Sequence, residues 1–349
     1  MSFLPFIFEK KGTFFFYAGN LEYENKFSLE KTILFNHSYY YGNWEEIKKA
    51  FDFYPDGIKE NAINYLKNYE NPPKFFLVKE KVFDLKNIYF VGVLNVTPDS
   101  FSDGNLYFKK ESAVRRAMEL EEEGADIIDI GGQSTRPGAE EISQGEELKR
   151  VIPVIEELSK KINLPISIDT TKAKVAEEAF NSGASILNDI SALHFDEKMP
   201  EIIHKWKPSL ILMHIKGKPK NMQENTIYNN FPFEILSFLN QGIEIAKKSG
   251  IEREKILVDP GIGFGKDFSQ NLWIINNLSF LKALGCPILI GTSRKSFIGK
   301  ILNNQPNERI YGTIASNYIA VKRGAKFLRV HDVKAHKEFF KVLEEIENG

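Results

Sequence analysis

From residue 84 onward the chain alternates short apolar runs with longer amphipathic stretches. The runs are Ile88–Leu94, Ile127–Ile130, Ile166–Ile168, Ser185–Leu187, Leu210–Met213, Ile256–Val258, Ile288–Ile290 and Phe327–Val330. Between them, stretches such as Ser112–Glu123, where Ala113, Ala117 and Leu120 share a face, and Gly145–Lys161 repeat with a helical period. Gly124, Gly183 and Gly324 each precede an alanine and the next run, the place where a left-handed residue stops a helix. Near-continuous apolar strands alternating with helices imply a parallel sheet covered on both faces. Eight such units favour a closed (β/α)8 barrel over an open doubly wound sheet, and no Gly-x-Gly-x-x-Gly follows the first run.

The first 83 residues read differently. They are rich in Phe, Tyr, Asn and Lys and contain no arginine. Thr13–Ala18 and Thr32–Asn36 are expected to be short strands, and Trp44–Tyr69 a helix broken near Pro55-Asp56-Gly57. Asn71-Pro72-Pro73 punctuates the chain, and Phe75–Leu85 reads as an edge hairpin leading into the main domain. The expected organisation is therefore an α/β protein in two parts. Residues 1–83 form an N-terminal α+β extension, and residues 84–349 form a (β/α)8 TIM barrel. The aromatic load of the extension implies that it folds against something.

Charge and cysteine usage narrow the function classes. With 46 Lys+Arg against 47 Asp+Glu the net charge is −1, so a nucleic-acid partner is not expected. The single cysteine, Cys286, excludes a disulfide framework and a cysteine-based zinc site and suits a reducing cytosol. Its place before Pro287, at the start of the seventh strand, makes it a packing residue. No run reaches the ~18 apolar residues of a membrane span, and Phe3–Phe8 is too short for a signal segment. The expectation is a soluble cytoplasmic protein with no membrane partner.

In a barrel, chemistry collects where strands end. The residues there are polar in every case: Asn95 to Gly104, Gly131 to Gly138, Asp169 to Lys172, Asn188-Asp189, His214, Asp259 to Lys266, Ser293 to Ser296, and Arg329, His331 and Asp332. Any one of them could be a helix cap; eight in succession point to a site. Asp169, Asn188 and Asp259 suit a flat heterocycle carrying amino and ring N–H donors. The rival is a divalent metal, although two carboxylates make a poor all-protein cage. Arginine is scarce, nine in the chain, yet Arg136, Arg294 and Arg329 all fall on rim loops, where bidentate geometry suits phosphate oxygens. The bland reading of each is a salt-bridged loop arginine. His331, two residues after Arg329, would share the anion. His194, His204 and His336 lie on helices and are expected to be surface or satisfied side chains.

Residues ~88–340 resemble the dihydropteroate synthases of the folate pathway. Asn95 to Gly104 is similar to that family's first signature and Asp126–Gly138 to its second. Ser293-Arg294-Lys295-Ser296 and Arg329-Val330-His331-Asp332 resemble the last two. The resemblance implies condensation of 6-hydroxymethyl-7,8-dihydropterin diphosphate with para-aminobenzoate, giving 7,8-dihydropteroate and pyrophosphate, with Mg2+ on the diphosphate. It implies that Asn95 reaches the metal, that Asp169, Asn188, Asp259 and Lys295 hold the pterin, and that Arg329 lies along its face. Arg136, Arg329 and His331 would hold the diphosphate. Thr135, Pro137, Phe264 and Ser293 would shape the para-aminobenzoate pocket once the first two loops close, and Met213 joins the substrate-binding set. A homodimer and sulfonamide sensitivity are implied in the same way. Two departures stand out: Gln133 where glutamate is expected, and a basic fifth rim with Lys216 and Lys218. The alternatives are a pterin-binding corrinoid methyltransferase, which needs no diphosphate clamp, and a non-catalytic pterin-binding sensor.

Overall fold

The computed structural model of the chain describes residues 6–10, 13–17, 30–34, 37–42, 45–46, 49, 56–97 and 106–349. Eight parallel strands close into a barrel: β7 (Tyr89–Asn95), β8 (Ile127–Gly131), β9 (Ile166–Asp169), β10 (Ile186–Asp189), β11 (Ser209–Met213), β12 (Ile256–Asp259), β13 (Ile288–Ile290) and β14 (Ala325–Val330). β14 pairs with β7 to complete the ring, matching Leu328 to Phe90 and Val330 to Gly92. All eight apolar runs are strands. Helices over Leu106–Glu122 and Gln144–Leu158 follow β7 and β8, and Gly124, Gly183 and Gly324 have positive φ.

The strand pleat sends alternate side chains to opposite faces. The outward set, including Ile128, Ile168, Leu187, Leu210, Val258 and Leu328, joins the helices in one large core. The inward set at the start of the strands, including Val91, Ile127, Ile186, Ile211, Leu257 and Phe327, forms a second core with a different covering. That covering is the hairpin β5 (Phe75–Val78) and β6 (Lys81–Asp84). It pairs only with itself, and Phe76 and Phe83 plug the barrel's underside. Their rings meet Phe327 at centroid distances of 5.3 and 5.8 Å. Ser209 Oγ donates to Leu77 O at 2.6 Å and ties the plug to β11. The hairpin is thus a stopper, not an edge of the barrel sheet.

Ahead of it, four strands form a separate antiparallel sheet in the order β1 (Phe6–Lys10), β2 (Thr13–Tyr17), β4 (His37–Gly42), β3 (Glu30–Leu34). The two expected strands are present, and β1 and β4 are additional. Helix α1 (Asp56–Glu70) follows; the N-terminal half of the helix expected over Trp44–Tyr69 falls largely outside the described residues. α1 docks on segments that lead into β12 and β13. Asn68 Nδ2 donates to Ala283 O at 2.8 Å, and Arg253 donates to Asn68 Oδ1 at 3.0 Å. Gly285 (φ +66°) permits the approach, because a Cβ there would meet Asn68 Oδ1 at 2.7 Å. Among the described residues no helix is long and apolar enough to cross a membrane. Cys286 is buried, its thiol pushed up to about 12 by burial.

Candidate active site

Two residues beyond the apolar inward layer, the same strands turn polar. Ile127 gives way to Asp129, Ile186 to Asn188, Leu257 to Asp259 and Phe327 to Arg329, with Met213 above Ile211. One step of the pleat therefore carries the barrel from a dry core to a charged chamber. Arg329 sits at its centre. Its Nε donates to Asp129 Oδ2 at 2.7 Å, and a terminal nitrogen donates to Asp169 Oδ2 at 2.9 Å. Asn188 Nδ2 donates to the same Asp129 oxygen at 3.0 Å. Burial raises the Asp169 carboxyl to about 7 against the opposing pull of Arg329, and burial likewise raises Asp259 to about 6.

The sixth rim loop wraps an ammonium. Lys266 is 2% exposed and donates to His214 Nδ1 at 2.8 Å, Gly261 O at 2.9 Å and Phe264 O at 3.0 Å. Three donors meet three acceptors, so the buried charge is fully hydrogen-bonded without a carboxylate contact. Gly261, Gly263 and Gly265, all at positive φ, let the loop turn its carbonyls inward. Asp259 Oδ1 accepts the Gly261 N–H at 2.7 Å and fixes the start of the loop. Phe264 packs with Ile190, Met213, Ile215 and Met222, and Lys295 Nζ lies 4.2 Å from its ring centroid. Burial, with Arg329 next in importance, lowers the Lys295 ammonium to about 8.

His331 stands beside this chamber. Ser293 Oγ accepts the His331 backbone N–H at 3.3 Å and lies 2.9 Å from Nδ1, so its hydroxyl hydrogen is available to Nδ1. That pairing leaves the ring N–H on Nε2. Burial, then Arg329 and Arg294, lower the imidazole to about 3, so it is neutral at physiological pH. Arg294 is different from Arg329: it grips Asp332 in a bidentate pair at 2.6 and 3.2 Å and joins the seventh loop to the eighth. The salt-bridged reading is the right one for Arg294. His336 is also satisfied, paired with Asn317 and the Asp332 carbonyl.

The second rim loop is less enclosed. Arg136 and Pro137 are exposed, while Thr135 and Asp169 line a small cavity with Lys172 and Ile190. Its base is anchored: Lys172 Nζ donates to Gln133 Oε1 at 2.7 Å and to the buried Glu147 at 2.6 Å. Arg150 donates to Gly132 O at 3.0 Å. Of the basic fifth rim, Lys216 lies over Tyr228 and Lys218 over Phe195. Residues 98–105, most of the first signature, lie outside the described residues, and so does any closing movement expected of them.

Among the described residues no group of three or more His, Cys, Asp or Glu could hold a metal. A hard cation arriving with a diphosphate needs fewer protein oxygens. Asn95 ends β7 opposite Gly131, and a Cβ built there would come within 3.9 Å of Asn95 Oδ1 and 3.7 Å of Asp169 Oδ2. The donors fit a magnesium ion shared with phosphate oxygens, not a protein cage.

The sequence singled out neither Asp129 nor Glu147, and it showed Lys266 and Lys172 only as members of their rim runs. Asp129 carried a usable signal, a carboxylate inside an otherwise apolar buried strand, Ile127–Ile130.

A family model described as "Pterin binding enzyme" matches residues 91–331. A dihydropteroate synthase of Synechocystis sp. is 44% identical over 286 residues, covering 81% of this chain and 98% of that protein. The dihydropteroate synthase of Bacillus subtilis is 42% identical over 291 residues, with coverage of 83% and 98%. Among solved structures, Yersinia pestis dihydropteroate synthase in a sulfonamide drug complex superposes with TM-score 0.74 at 40% identity, over 79% of this chain and all of that one. Xanthomonas albilineans dihydropteroate synthase with 4-aminobenzoic acid gives TM-score 0.73 at 38% identity, over 78% and 98%.

Proposed function

The chain belongs to the dihydropteroate synthase family of pterin-binding enzymes, and from that premise we propose how its rim carries the reaction. The enzyme condenses 6-hydroxymethyl-7,8-dihydropterin diphosphate with para-aminobenzoate. The amine nitrogen forms a bond to the pterin methylene, the methylene–oxygen bond breaks, pyrophosphate leaves, and the new secondary amine sheds one proton. The named relatives favour neither a corrinoid methyltransferase nor a sensor.

The observation that carries the assignment of roles is the chamber in which Arg329 is held between Asp129 and Asp169, with Lys295 and neutral His331 beside it. Asp169, Asn188 and Asp259 offer acceptors to the amino and ring N–H groups of the pterin, and Lys295 donates to it. Arg329 lies against the ring. The Nε2–H of His331, Arg329 and, on the second loop, Arg136 bind the diphosphate, where negative charge grows as the bond breaks. Thr135, Pro137, Phe264 and Ser293 bound the para-aminobenzoate pocket, with Met213 in its apolar wall. An aromatic amine is neutral at pH 7, so nucleophilic attack needs no strong base, consistent with a His331 that is itself neutral. Water is excluded from the developing methylene cation when the first two loops close. Asn95 would hold Mg2+, which when bound supplies charge neutralisation on the departing pyrophosphate.

The reading extends to assembly and inhibition. Ile301, Leu302 and Ile319 are exposed together with Tyr311, which is 81% exposed, on the helices Ser296–Leu302 and Ile310–Lys322. Such an apolar surface supports a homodimer, checked by light scattering of the purified protein. Sulfonamides, one of which the Yersinia relative binds, compete for the para-aminobenzoate pocket. A cytoplasmic location is consistent with the buried, unpaired Cys286. The deciding experiment is pyrophosphate release from the dihydropterin diphosphate with and without para-aminobenzoate and Mg2+. Release that needs both, with dihydropteroate formed, is expected. Release without para-aminobenzoate, or undiminished by chelator, would overturn the assignment.

A further inference from the structure

We propose that Asp129 is a positioning residue for the pterin subsite, one carboxylate oxygen setting the orientation of both the Asn188 amide and the Arg329 guanidinium. The inference rests on the reading of this chamber as the pterin site. Asp129 is 0% exposed and lies level with Ser167 on the neighbouring strand, one pleat below Asp169, beneath the groups that meet substrate. Its Oδ2 accepts from Asn188 Nδ2 at 3.0 Å and from Arg329 Nε at 2.7 Å.

A carboxylate can only accept. The Asn188 amide must therefore turn its NH2 downward to Asp129, and its Oδ1, which has no hydrogen-bond partner among the described residues, is left as the acceptor. An acceptor is the polarity required by a heterocycle edge bearing N–H donors. The same oxygen fixes the guanidinium plane. Nε is held by Asp129 and a terminal nitrogen by Asp169, so Arg329 cannot rotate about its own axis. There is no redundancy, because Asp129 Oδ1 is buried with no partner.

Asp129→Leu tests this with little change of shape. It removes the oxygen that both donors share, so the Asn188 NH2 and the Arg329 Nε–H lose their common acceptor and are free to turn away; a buried donor left unpaired is costly. The KM for the dihydropterin diphosphate is expected to rise about ten- to hundred-fold, while the KM for para-aminobenzoate at saturating pterin stays within about two-fold.

The conservative variant Asp129→Asn supplies a rescue. Its amide oxygen can take the place of Oδ2 and accept from both donors, with the NH2 where the unpartnered Oδ1 stood. A pterin KM at least about ten-fold below that of Asp129→Leu is expected. Thermal melting checks that each variant is folded. If Asp129→Leu does not fold, Asp129→Ala, which also lacks the acceptor, takes its place in the comparison. An unchanged pterin KM in a folded variant without the acceptor, equal losses for both substrates, or an Asp129→Asn that regains melting temperature but not pterin KM would overturn it. If the natural chain itself fails to bind the dihydropterin diphosphate by calorimetry, the reading of the site falls, and the inference with it.

Discussion

At the underside of the barrel the inward side chains are Ile127, Ile186, Leu257 and Phe327; one pleat farther along the same strands they are Asp129, Asn188, Asp259 and Arg329. The strands and the register are shared by the two layers. What differs is the sign of the energetic contribution. Below, Phe76 and Phe83 seal apolar side chains in ring-to-ring contact, an arrangement that only stabilises. Above, burial pushes groups of both charges toward neutrality, Asp169 up to about 7 and Lys295 down to about 8. Groups that would be more comfortable in water are held out of it, which is what a site for binding charge and polar edges requires. The underside offsets that cost, as expected of a fold whose two ends serve stability and chemistry separately.

The comparison predicts opposite phenotypes from truncations of similar size. Phe83→Ala removes a ring that is 1% exposed and touches Phe76, Tyr89 and Phe327. A loss of about 3–5 kcal/mol of stability is expected in chemical denaturation, with turnover per folded molecule unchanged. Next, Lys295→Ala removes a donor above Phe264 and is expected to cost about 2.7–4 kcal/mol of barrier. Its melting temperature should hold or rise, since a disfavoured buried charge is removed. A Phe83 variant that loses catalysis without losing stability, or a Lys295 variant that does the reverse, would break the division between the two ends.

The pH dependence sharpens it. The Lys295 ammonium is lost as pH rises through about 8, well below the ordinary lysine range. The kcat/KM for the dihydropterin diphosphate should therefore fall above pH 8, about tenfold per pH unit. The same group acts on stability with the opposite sign. Above pH 8 the unfolded chain binds the proton that the folded chain has given up, so the contribution of Lys295 to stability rises with pH until the ordinary lysine range is reached. Lys295→Arg should lack the alkaline fall in kcat/KM. If the variant keeps that fall, the group responsible is not Lys295.

The barrel was legible in the sequence because strands buried on both faces leave contiguous apolar runs, and all eight survive within a residue or two of their expected bounds. The rim was legible for a related reason: polar residues such as Asn188 and Asp259 directly follow those runs. Asp129 was legible only in part: its charge stands out between Ile128 and Ile130, but with both faces of the strand buried no alternation assigns it to the inward face. Lys266 was counted as one more polar residue after β12. Nothing in Gly-Phe-Gly-Lys says that the loop folds its carbonyls around the ammonium. The hairpin Phe75–Leu85 was visible as a hairpin, but the pattern could not say that its aromatic face closes the barrel. The strands of the extension were only half seen, since aromatic and polar residues mix there without a clean period.

A smaller effect tests where the underside ends. Asn68 ties helix α1 to Ala283 and Arg253, both on segments entering the barrel from below. Asn68→Ala should lower stability by about 1 kcal/mol and leave both substrate KM values alone. A shift in either KM would mean that the extension is coupled to the rim across the length of the barrel.

The smallest predicted effect concerns the base of the second rim loop, where Gln133 stands in place of the expected glutamate. Lys172 bridges Gln133 and the buried Glu147 at 2.7 and 2.6 Å, and Gln133 Oε1 also accepts the Ile142 N–H at 3.3 Å. In Gln133→Glu the new carboxylate gains attraction to Lys172 and keeps the Ile142 bond. It also brings a second negative charge onto an ammonium already shared with Glu147, and that repulsion works against the gain. The two contributions are similar in origin and distance, so stability should move by no more than about 0.5 kcal/mol. The KM for para-aminobenzoate should then stay within about a factor of two. A KM shift of tenfold or more would show that the loop base is mechanically linked to the pocket through Thr135 and Pro137. In that case the anchoring pair Lys172–Glu147 would belong with the rim's chemistry and not with the supporting scaffold.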